Sequence, residues 1–549
     1  MTKYYMGVSA YHHDSAAALI DEHGNIICVS QEERRTLIKN DKSWPEESIN
    51  FCLRHAKSQQ LDTSDITYGF YEKPWIKFTR RFCQNPKDTV RYFKEAYNTT
   101  KKIKGYKTIM HHDAHALAGC ATSPFDNCVY LIVDAVGEWE TTTWGTFNKI
   151  DGIKKEGSIR YPHSIGLMYS SFTRWLGLKP NEDEYIVMGA AAFGKPRFAN
   201  KIRKDFLSEV TASPHGIEFK KGVHNGIEQY YGDEVPVKDW YDWCASIQYV
   251  CEQMMIDLVR MLEQQYGKGH NLVLGGGVAL NCVANSKIMK STHVKELWIL
   301  PSPGDSGNAL GAAAHAAGIN DLVWDSPYLG MDMDNDSNPT QELIRNVVAR
   351  LDNGEIIGWI QGKEEFGPRS LGHRSLLADP RSSKIKNKIN LIKNRQTFRP
   401  FAPSVLEEET YMYFDLPNGT TSRYMQFTAR VKNPNMLPAI CHIDGTTRVQ
   451  TVPKSTDPFR RLLEHWKETT GCAALLNTSL NIKGQPLMSN RKDAIQMLLD
   501  TPMDALVIGN RLYYKITKDG LSDEPGETVQ IAECIDYSQG VDDMIKGRF

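Results

Sequence analysis

Twice along the chain a strand, a polar loop and a hairpin follow one another in the same order. Tyr4 to Ser9 reads as a first strand and Ala16 to Ile20 as a second; after the turn chemistry of Glu22-His-Gly-Asn25, Ile26 to Ser30 reads as a third. Val129 to Ala135, Thr141 to Phe147 and, after Asp151-Gly152, Ile153 to Ile159 repeat the pattern. Gly137-Glu-Trp-Glu140 stands in the second unit where Tyr11-His-His-Asp-Ser15 stands in the first. Such a recurrence predicts two related α/β half-domains facing each other across a cleft.

A candidate metal site lies between and beyond the two units. In Met110-His-His-Asp-Ala-His-Ala-Leu117, His111 and His115 stand one helical turn apart, which puts their Cβ atoms about 5–6 Å apart on one helix face. Asp134 follows the buried-strand run Val129-Tyr-Leu-Ile-Val133. Asp305 follows Leu297-Trp-Ile-Leu300 and a Pro-Ser-Pro-Gly turn. Ligands in open α/β sheets gather beyond the carboxyl ends of strands, where both acids fall. Two imidazoles and two carboxylates suit iron, manganese or zinc more than magnesium.

The 549 residues have room for two or three domains, and 41% hydrophobic with 24% charged residues describes a soluble globular chain. A net charge of −1 argues against a broad nucleic-acid footprint. Eleven scattered cysteines without a Cys-x-x-Cys pair fit free thiols in the cytoplasm. No apolar run approaches membrane-spanning length, and no cleavable signal precedes the first strand.

Between these landmarks, Glu46 to His55 reads as a helix. Trp75 to Lys107 reads as a basic, aromatic, helical insertion, and 197–240 as a surface-rich one. Asn181 to Gly194 is an acidic entry into a small-residue helix, and Ala245 to Gln264 has helical period. Asn271-Leu-Val-Leu-Gly-Gly-Gly-Val-Ala-Leu-Asn281 reads as a strand, three glycines and a helix start, a geometry open to phosphate or to tight packing. It lacks the ending of a Walker loop.

The turn-rich Asp332 to Pro339 marks the boundary between domains at 1–338 and 339–549. A helix from Gln341 to Asp352 and a strand from Ile356 to Ile360 open the second domain. Its basic residues sit in Gly/Pro-framed loops: Phe366-Gly-Pro-Arg-Ser-Leu-Gly-His-Arg374, Asn394-Arg-Gln-Thr-Phe-Arg-Pro-Phe-Ala-Pro-Ser404 and His442-Ile-Asp-Gly-Thr-Thr-Arg448. That framing favours a closed anion pocket, in which arginine matches planar oxyanions and Asn477 and Ser479 add neutral donors.

Taken in order, Tyr11-His-His-Asp-Ser-Ala-Ala-Ala, His111-x-x-x-His115, Gly275-Gly-Gly-Val-Ala-Leu-Asn281, Phe366-Gly-Pro-Arg-Ser-Leu-Gly, Phe398-Arg-Pro-Phe-Ala-Pro-Ser and Asn477-Thr-Ser resemble the O-carbamoyltransferases of antibiotic biosynthesis and nodulation over nearly the whole chain. The resemblance implies a duplicated actin-like (ASKHA) N-terminal domain, related to the tRNA threonylcarbamoyl transferase, and a smaller α/β YrdC-like C-terminal domain. It implies that carbamoyl phosphate and ATP give carbamoyl adenylate in the C-terminal domain, and that the carbamoyl group then passes to an acceptor hydroxyl in the N-terminal one. The implied cofactors are ATP, carbamoyl phosphate as co-substrate and a divalent metal, Fe(II), with Mg(II) for ATP. The implied metal ligands are His111, His115, Asp134 and Asp305, and the implied nucleotide contacts Gly275, Gly276, Gly277 and Asn281. Arg369, His373, Arg374, Lys393, Arg399, Arg448, Asn477 and Ser479 would bind carbamoyl phosphate and ATP. His13, immediately before Asp14, is the implied general base; the neighbouring His12 is the residue-level alternative, with His112 at most beside the site. The family also suggests a homodimer.

Two rival readings share the fold: a tRNA threonylcarbamoyl-type enzyme, which needs an RNA surface, and a non-catalytic ATP-binding regulator, which leaves the arginine-rich second domain unexplained. The hydrogenase-maturation type is disfavoured because its Cys-x-x-Cys pairs are absent. The resemblance implies a small-molecule alcohol as acceptor, of natural-product or sugar-like kind, with its specificity expected in the insertions at 75–107 and 197–240.

Overall fold

Strand β1 (Tyr4–Ser9) is the middle of a five-stranded sheet. On one edge it pairs antiparallel with β2 (Ala16–Asp21), and β2 with β3 (Ile26–Gln31); on the other it runs parallel to β4 (Ile66–Tyr71), beside which lies parallel β5 (Tyr106–Ile109). The second sheet repeats the order. Its middle strand β6 (Asn127–Val133) meets antiparallel β7 (Glu140–Asn148), then β8 (Gly152–Arg160), and on the other edge parallel β9 (Leu272–Gly275), then β10 (Leu297–Trp298). The recurrence in sequence is a recurrence of topology, and the N-terminal unit has the expected actin-like α/β plan.

The structure, a computed structural model, describes residues 2–71, 106–207, 217–223, 226–333, 338–417, 419–519, 528–537 and 546–548. The chain divides into two compact units, Met1–Pro327 and Tyr328–Phe549. The boundary read from sequence at 338/339 lies further along, because Tyr328–Asp332 pairs antiparallel with Lys363–Glu365.

Small residues let one helix lock the first sheet to the metal-candidate helix. Six of the ten residues of Asn308–Ala317 are alanine, and most of the helix is buried. A Cβ on Gly7 of β1 would stand 1.9 Å from the Ala309 carbonyl oxygen, and one on Gly69 of β4 2.0 Å from that of Ala312. A Cβ on Gly311, within the helix, would stand 2.1 Å from the carbonyl oxygen of Ala114 in the helix His111–Ala121. Backbones this close leave no room for larger side chains, so the start of Asn308–Ala317 is held beside the start of His111–Ala121.

The second unit is built on a mixed sheet. Among the described residues its order runs Phe414–Asp415, Phe427–Val431, Thr446–Val452, Ala402–Leu406, Ala474–Ser479, Arg374–Ala378, Ile357–Ile360, Ala505–Ile508, Arg511–Asp519, Thr528–Asp536, Lys546–Arg548. Helix Gln341–Asp352 spans the residues expected, with the Thr340 hydroxyl accepting the Leu343 N–H at its start.

Two insertions depart from the sequence reading. Most of Trp75–Lys107 lies outside the described residues, but its last two positions open strand β5 instead of continuing a helix. The 197–240 stretch is not merely surface. Ile202, Phe206, Phe219 and Val223 are buried, and Phe206 and Tyr231 join Phe172, Trp175 and Trp243 in an aromatic cluster. Residues 208–216 and 224–225 lie outside the described set. No described helix is long and apolar enough to cross a membrane, and the described cysteines are free thiols.

Candidate functional site

Three elements deliver four side chains to one point. β5 leads through Met110 into helix His111–Ala121, whose first turn faces the carboxyl end of β6. The ladder of β6 ends at Val133, so Asp134 leaves the sheet edge while its N–H still bonds the Thr141 carbonyl. Asp305 opens a 3₁₀ turn, Asp305–Gly307, that runs into the alanine-rich helix. His111 Nε2 lies 3.0 Å from Asp134 Oδ2, 3.1 Å from His115 Nε2 and 3.4 Å from Asp305 Oδ1. His115 Nε2 lies 3.7 Å from Asp134 Oδ2 and 3.5 Å from Asp305 Oδ1.

All four side chains are buried, and their ligand atoms fall within 4.8 Å of one another. Burial opposes charge on both acids, yet His111 and His115 hold the Asp134 carboxyl well below the usual carboxylate range. Burial is likewise outweighed at Asp305, chiefly by His13 and His111. Asp305 Oδ1 is buried without a hydrogen-bond donor. Two anions, two imidazole nitrogens and an oxygen lacking a donor fit one divalent cation.

The other face of Asp305 meets the first hairpin loop. Tyr11 and Asp14 there adopt positive φ (70° and 54°), and the loop is pinned by Tyr11 N–H to the Lys42 carbonyl and Ser15 N–H to that of Asp41. Asp305 Oδ2 lies 3.3 Å from His12 Nδ1 and 3.7 Å from His13 Nε2, and His13 Nδ1 lies 2.9 Å from Asp14 Oδ2. Burial works against a charge on His13, but Asp305, Asp14 and Asp134 raise its pKa to about 10. His112 differs: burial, then the neighbouring His111, holds it well below the usual imidazole value, and its Nδ1 lies 3.2 Å from the Thr143 hydroxyl.

The glycine run follows β9 and touches the same cluster. Gly276 has φ +84°, and a Cβ there would sit 2.3 Å from the Val133 carbonyl oxygen. The Gly277 N–H donates to Asp134 Oδ1 at 3.2 Å. Gly275 ends the strand itself. The helix start expected at the glycines lies further on: a 3₁₀ turn, Gly277–Leu280, intervenes, and Asn281 caps Cys282–Ser291 by accepting the Ala284 N–H. The Asn281 amide is also paired both ways with Gln248.

In the second unit the predicted residues separate into kinds. Lys393 is buried and donates to the Ser479 hydroxyl at 2.9 Å and to Asn481 Oδ1 at 2.6 Å. The Asn477 amide donates to Ser404 Oγ, to Gln450 Oε1 and to the Ser370 carbonyl. Arg448, two residues before Gln450 on one strand, shares its face of the sheet. Arg369 and Arg399 are half-buried on their loops. Arg374 departs from the pocket expected of it. Fully buried, its guanidinium donates to the carbonyls of Gln361, His373, Met331 and Gly362, tying loops together. His373 is also engaged at both nitrogens, near the Lys363 carbonyl and Asp457, with its ring stacked on Tyr328 at 3.5 Å.

Comparison with known proteins decides the family. Residues 4–314 match the carbamoyltransferase N-terminus and residues 348–515 the carbamoyltransferase C-terminus. This chain belongs to the carbamoyltransferase family. It is similar to the nodulation protein NolNO of Sinorhizobium fredii, 31% identical across 93% of this chain and 80% of that protein. It is also similar to the 3'-hydroxymethylcephem-O-carbamoyltransferase of Amycolatopsis lactamdurans, 28% identical across 76% of this chain and 82% of that one. Among solved structures, T. kodakarensis HypF overlaps with a TM-score of 0.32 at 15% identity, over 58% of this chain and 48% of that one. The protein is thus an enzyme that transfers carbamoyl groups.

Sequence reasoning missed two neighbours of the carbamoyltransferase's cluster, Tyr71 and Glu138, and named a third, His12, only as the alternative to His13. His12 reaches Asp305 more closely than His13 does. The Tyr71 hydroxyl, at the end of β4, bonds the Ala10 carbonyl and approaches Asp305 Oδ2 at 3.5 Å. Glu138 is buried against the backbone of His111. Of the two missed, only Glu138 had left a signal, in the loop that parallels Tyr11–Ser15.

Proposed function

We propose that this carbamoyltransferase activates carbamoyl phosphate with ATP and passes the carbamoyl group to a hydroxyl of a small molecule. In the second unit, water cleaves carbamoyl phosphate to carbamate and phosphate, releasing a proton. The carbamate oxygen then displaces pyrophosphate from ATP, giving carbamoyl adenylate. In the first unit, an acceptor oxygen attacks the carbamoyl carbon, its proton passes to a base, and AMP leaves. Adenylation matters because carbamate is a poor electrophile with a poor leaving group.

The observation that carries this reading is the buried cluster of His111, His115, Asp134 and Asp305 beside two loop histidines. These four residues would hold a divalent cation, Fe(II) by the family resemblance, and the cation would supply a positive charge to neutralise the adenylate phosphate. His13 is the base: its Nε2 borders the cluster, and the Asp14 carboxylate orients its Nδ1. A base must be neutral to take a proton, and a cation held by Asp134 and Asp305 would offset two of the carboxylates that raise the His13 pKa. Gly277 holds Asp134 by a backbone N–H, so a nucleotide bound beside the glycine run would lie next to the cluster. In the second unit Arg369, Lys393, Arg399, Arg448, Asn477 and Ser479 receive the phosphate-bearing substrates, while Arg374 and His373 shape the loops.

The hydroxyl acceptor follows from the cephem relative, whose name records O-carbamoylation of a hydroxymethyl group. The test is release of pyrophosphate from ATP by the full-length protein, with and without carbamoyl phosphate, before any alcohol is added. Release that depends on carbamoyl phosphate is expected. Its absence with folded, metal-loaded protein would overturn the reading.

A further inference from the structure

The two hairpin loops of the duplicated plan reach the same cluster through different ligands. The first presents His12 and His13 to Asp305. The second, between β6 and β7, carries Asp134 at its start and Glu138 four residues on. Helix His111–Ala121 begins with N–H groups that have no partner within the helix, and Met110 at its cap offers no side-chain acceptor. Glu138, 1% exposed, fills that place from the other chain segment, with its carboxylate oxygens 3.1 and 3.2 Å from the His111 nitrogen. A carboxylate is also the charge that the positive end of a helix favours.

The loop that holds Glu138 is stiff. Gly137 N–H bonds the Glu140 carbonyl at 2.9 Å, and Asp134 N–H bonds that of Thr141 at 2.9 Å. A Cβ on Gly137 would lie 2.9 Å from the His111 Cβ, so the loop presses on the histidine itself. One short segment therefore supplies one ligand, Asp134, and grips the backbone of another, His111.

We propose that Glu138 is a positioning residue for the metal ligands: by anchoring the His111 N–H it holds the imidazole in place opposite Asp134 and His115. This rests on the reading of the cluster as a cation site. Partners that orient a ligating histidine commonly matter about 10–100-fold in metal affinity.

The test measures zinc(II) affinity of the full-length protein by chelator competition, with Glu138→Ala, Glu138→Asp and Glu138→Gln beside the unaltered chain. Carbamoyl-phosphate-dependent pyrophosphate release and thermal melting are followed in parallel. Glu138→Ala is expected to lose about 10–100-fold in zinc affinity at temperatures where it is fully folded, with pyrophosphate release kept. Glu138→Gln, whose amide oxygen still accepts the His111 N–H, is expected to recover most of that affinity. Should Glu138→Ala fail to fold, Glu138→Asp carries the test, since its shorter carboxylate falls back from His111. Unchanged affinity in a folded Ala or Asp variant, or a Gln variant as weak as Ala, would overturn the positioning role while leaving the cation site standing. An unaltered chain that takes up no zinc(II), manganese(II) or iron(II) would overturn both.

Discussion

Asp134 and Gly277 join the glycine run to the histidine pair: Gly277 N–H donates to Asp134 Oδ1 at 3.2 Å, while Asp134 Oδ2 faces His111 at 3.0 Å. One carboxylate thus has an oxygen for the glycine backbone and an oxygen for the proposed cation site. A group bound at either place changes the electrostatics of the other. The arrangement suits a reaction in which a phosphate and a cation must be held together.

Replacing His111 and His115 together with alanine removes both imidazoles from the cluster. Bound metal is expected to fall by at least about 100-fold, with acceptor carbamoylation, because losing ligands costs more than losing their partners. Pyrophosphate release, assigned to the second unit, should persist. Metal analysis of the purified double variant decides the matter, and full occupancy would refute the assignment.

His13→Asn should keep fold, metal and adenylate formation but lose acceptor carbamoylation by about 10²–10⁴-fold, the range of a general base. Supplying presynthesised carbamoyl adenylate should not restore it. His12→Asn should be milder if His12 only supports Asp305. Equal losses in both variants would mean that the two histidines act as a unit.

Arg448→Ala and Arg374→Ala should fail differently. Arg448→Ala is expected to weaken carbamoyl phosphate use by about 2–5 kcal/mol, the scale of a desolvated charge pair, and added adenylate should rescue it. Arg374→Ala leaves four carbonyls without their guanidinium donor, at a cost on the order of 1–3 kcal/mol for each one left buried and unsatisfied. Thermal melting should therefore drop for Arg374→Ala and hold for Arg448→Ala.

The pair of Glu408 and buried Arg460 gives the second unit an acid-sensitive contact. Hydrogen bonding from Arg460 lowers the Glu408 pKa from 4.5 to about 2. A carboxylate depressed on folding contributes stability that is fully present above its unfolded pKa and lost as pH falls through the folded one. The loss should span pH 4.5 to about 2. Glu408→Gln should be less stable at neutral pH and show a shallower decline across that window in denaturant titrations. Parallel curves for the two proteins would exclude the contact as a contributor.

The duplication was legible because three short apolar strands and their turns recur in the same order, and the observed edges of β1 to β3 agree with the reading to within a residue. His111 and His115 could be paired because helical spacing is a local property. Asp134 and Asp305 could be added because strand ends are legible too. Role assignments within basic loops were not legible in the same way. Arg374 and Arg448 carry the same side chain in similar Gly-rich company, yet one is consumed by backbone carbonyls and the other lies on the face shared with Gln450.

By itself the sequence determined the order of strands, the helical spacing of the histidines and the family, since each rests on local pattern or on motifs in order. Tertiary structure alone decided which distant groups meet. That Asp305 faces His111 and His115 with one oxygen and His12 and His13 with the other depends on Gly7, Gly69 and Gly311 letting a helix approach two neighbours at backbone contact. That Glu138 grips His111 depends on the fold of a loop 27 residues away in the chain. Such contacts arise from close packing between segments, a property of the folded chain that no local pattern encodes.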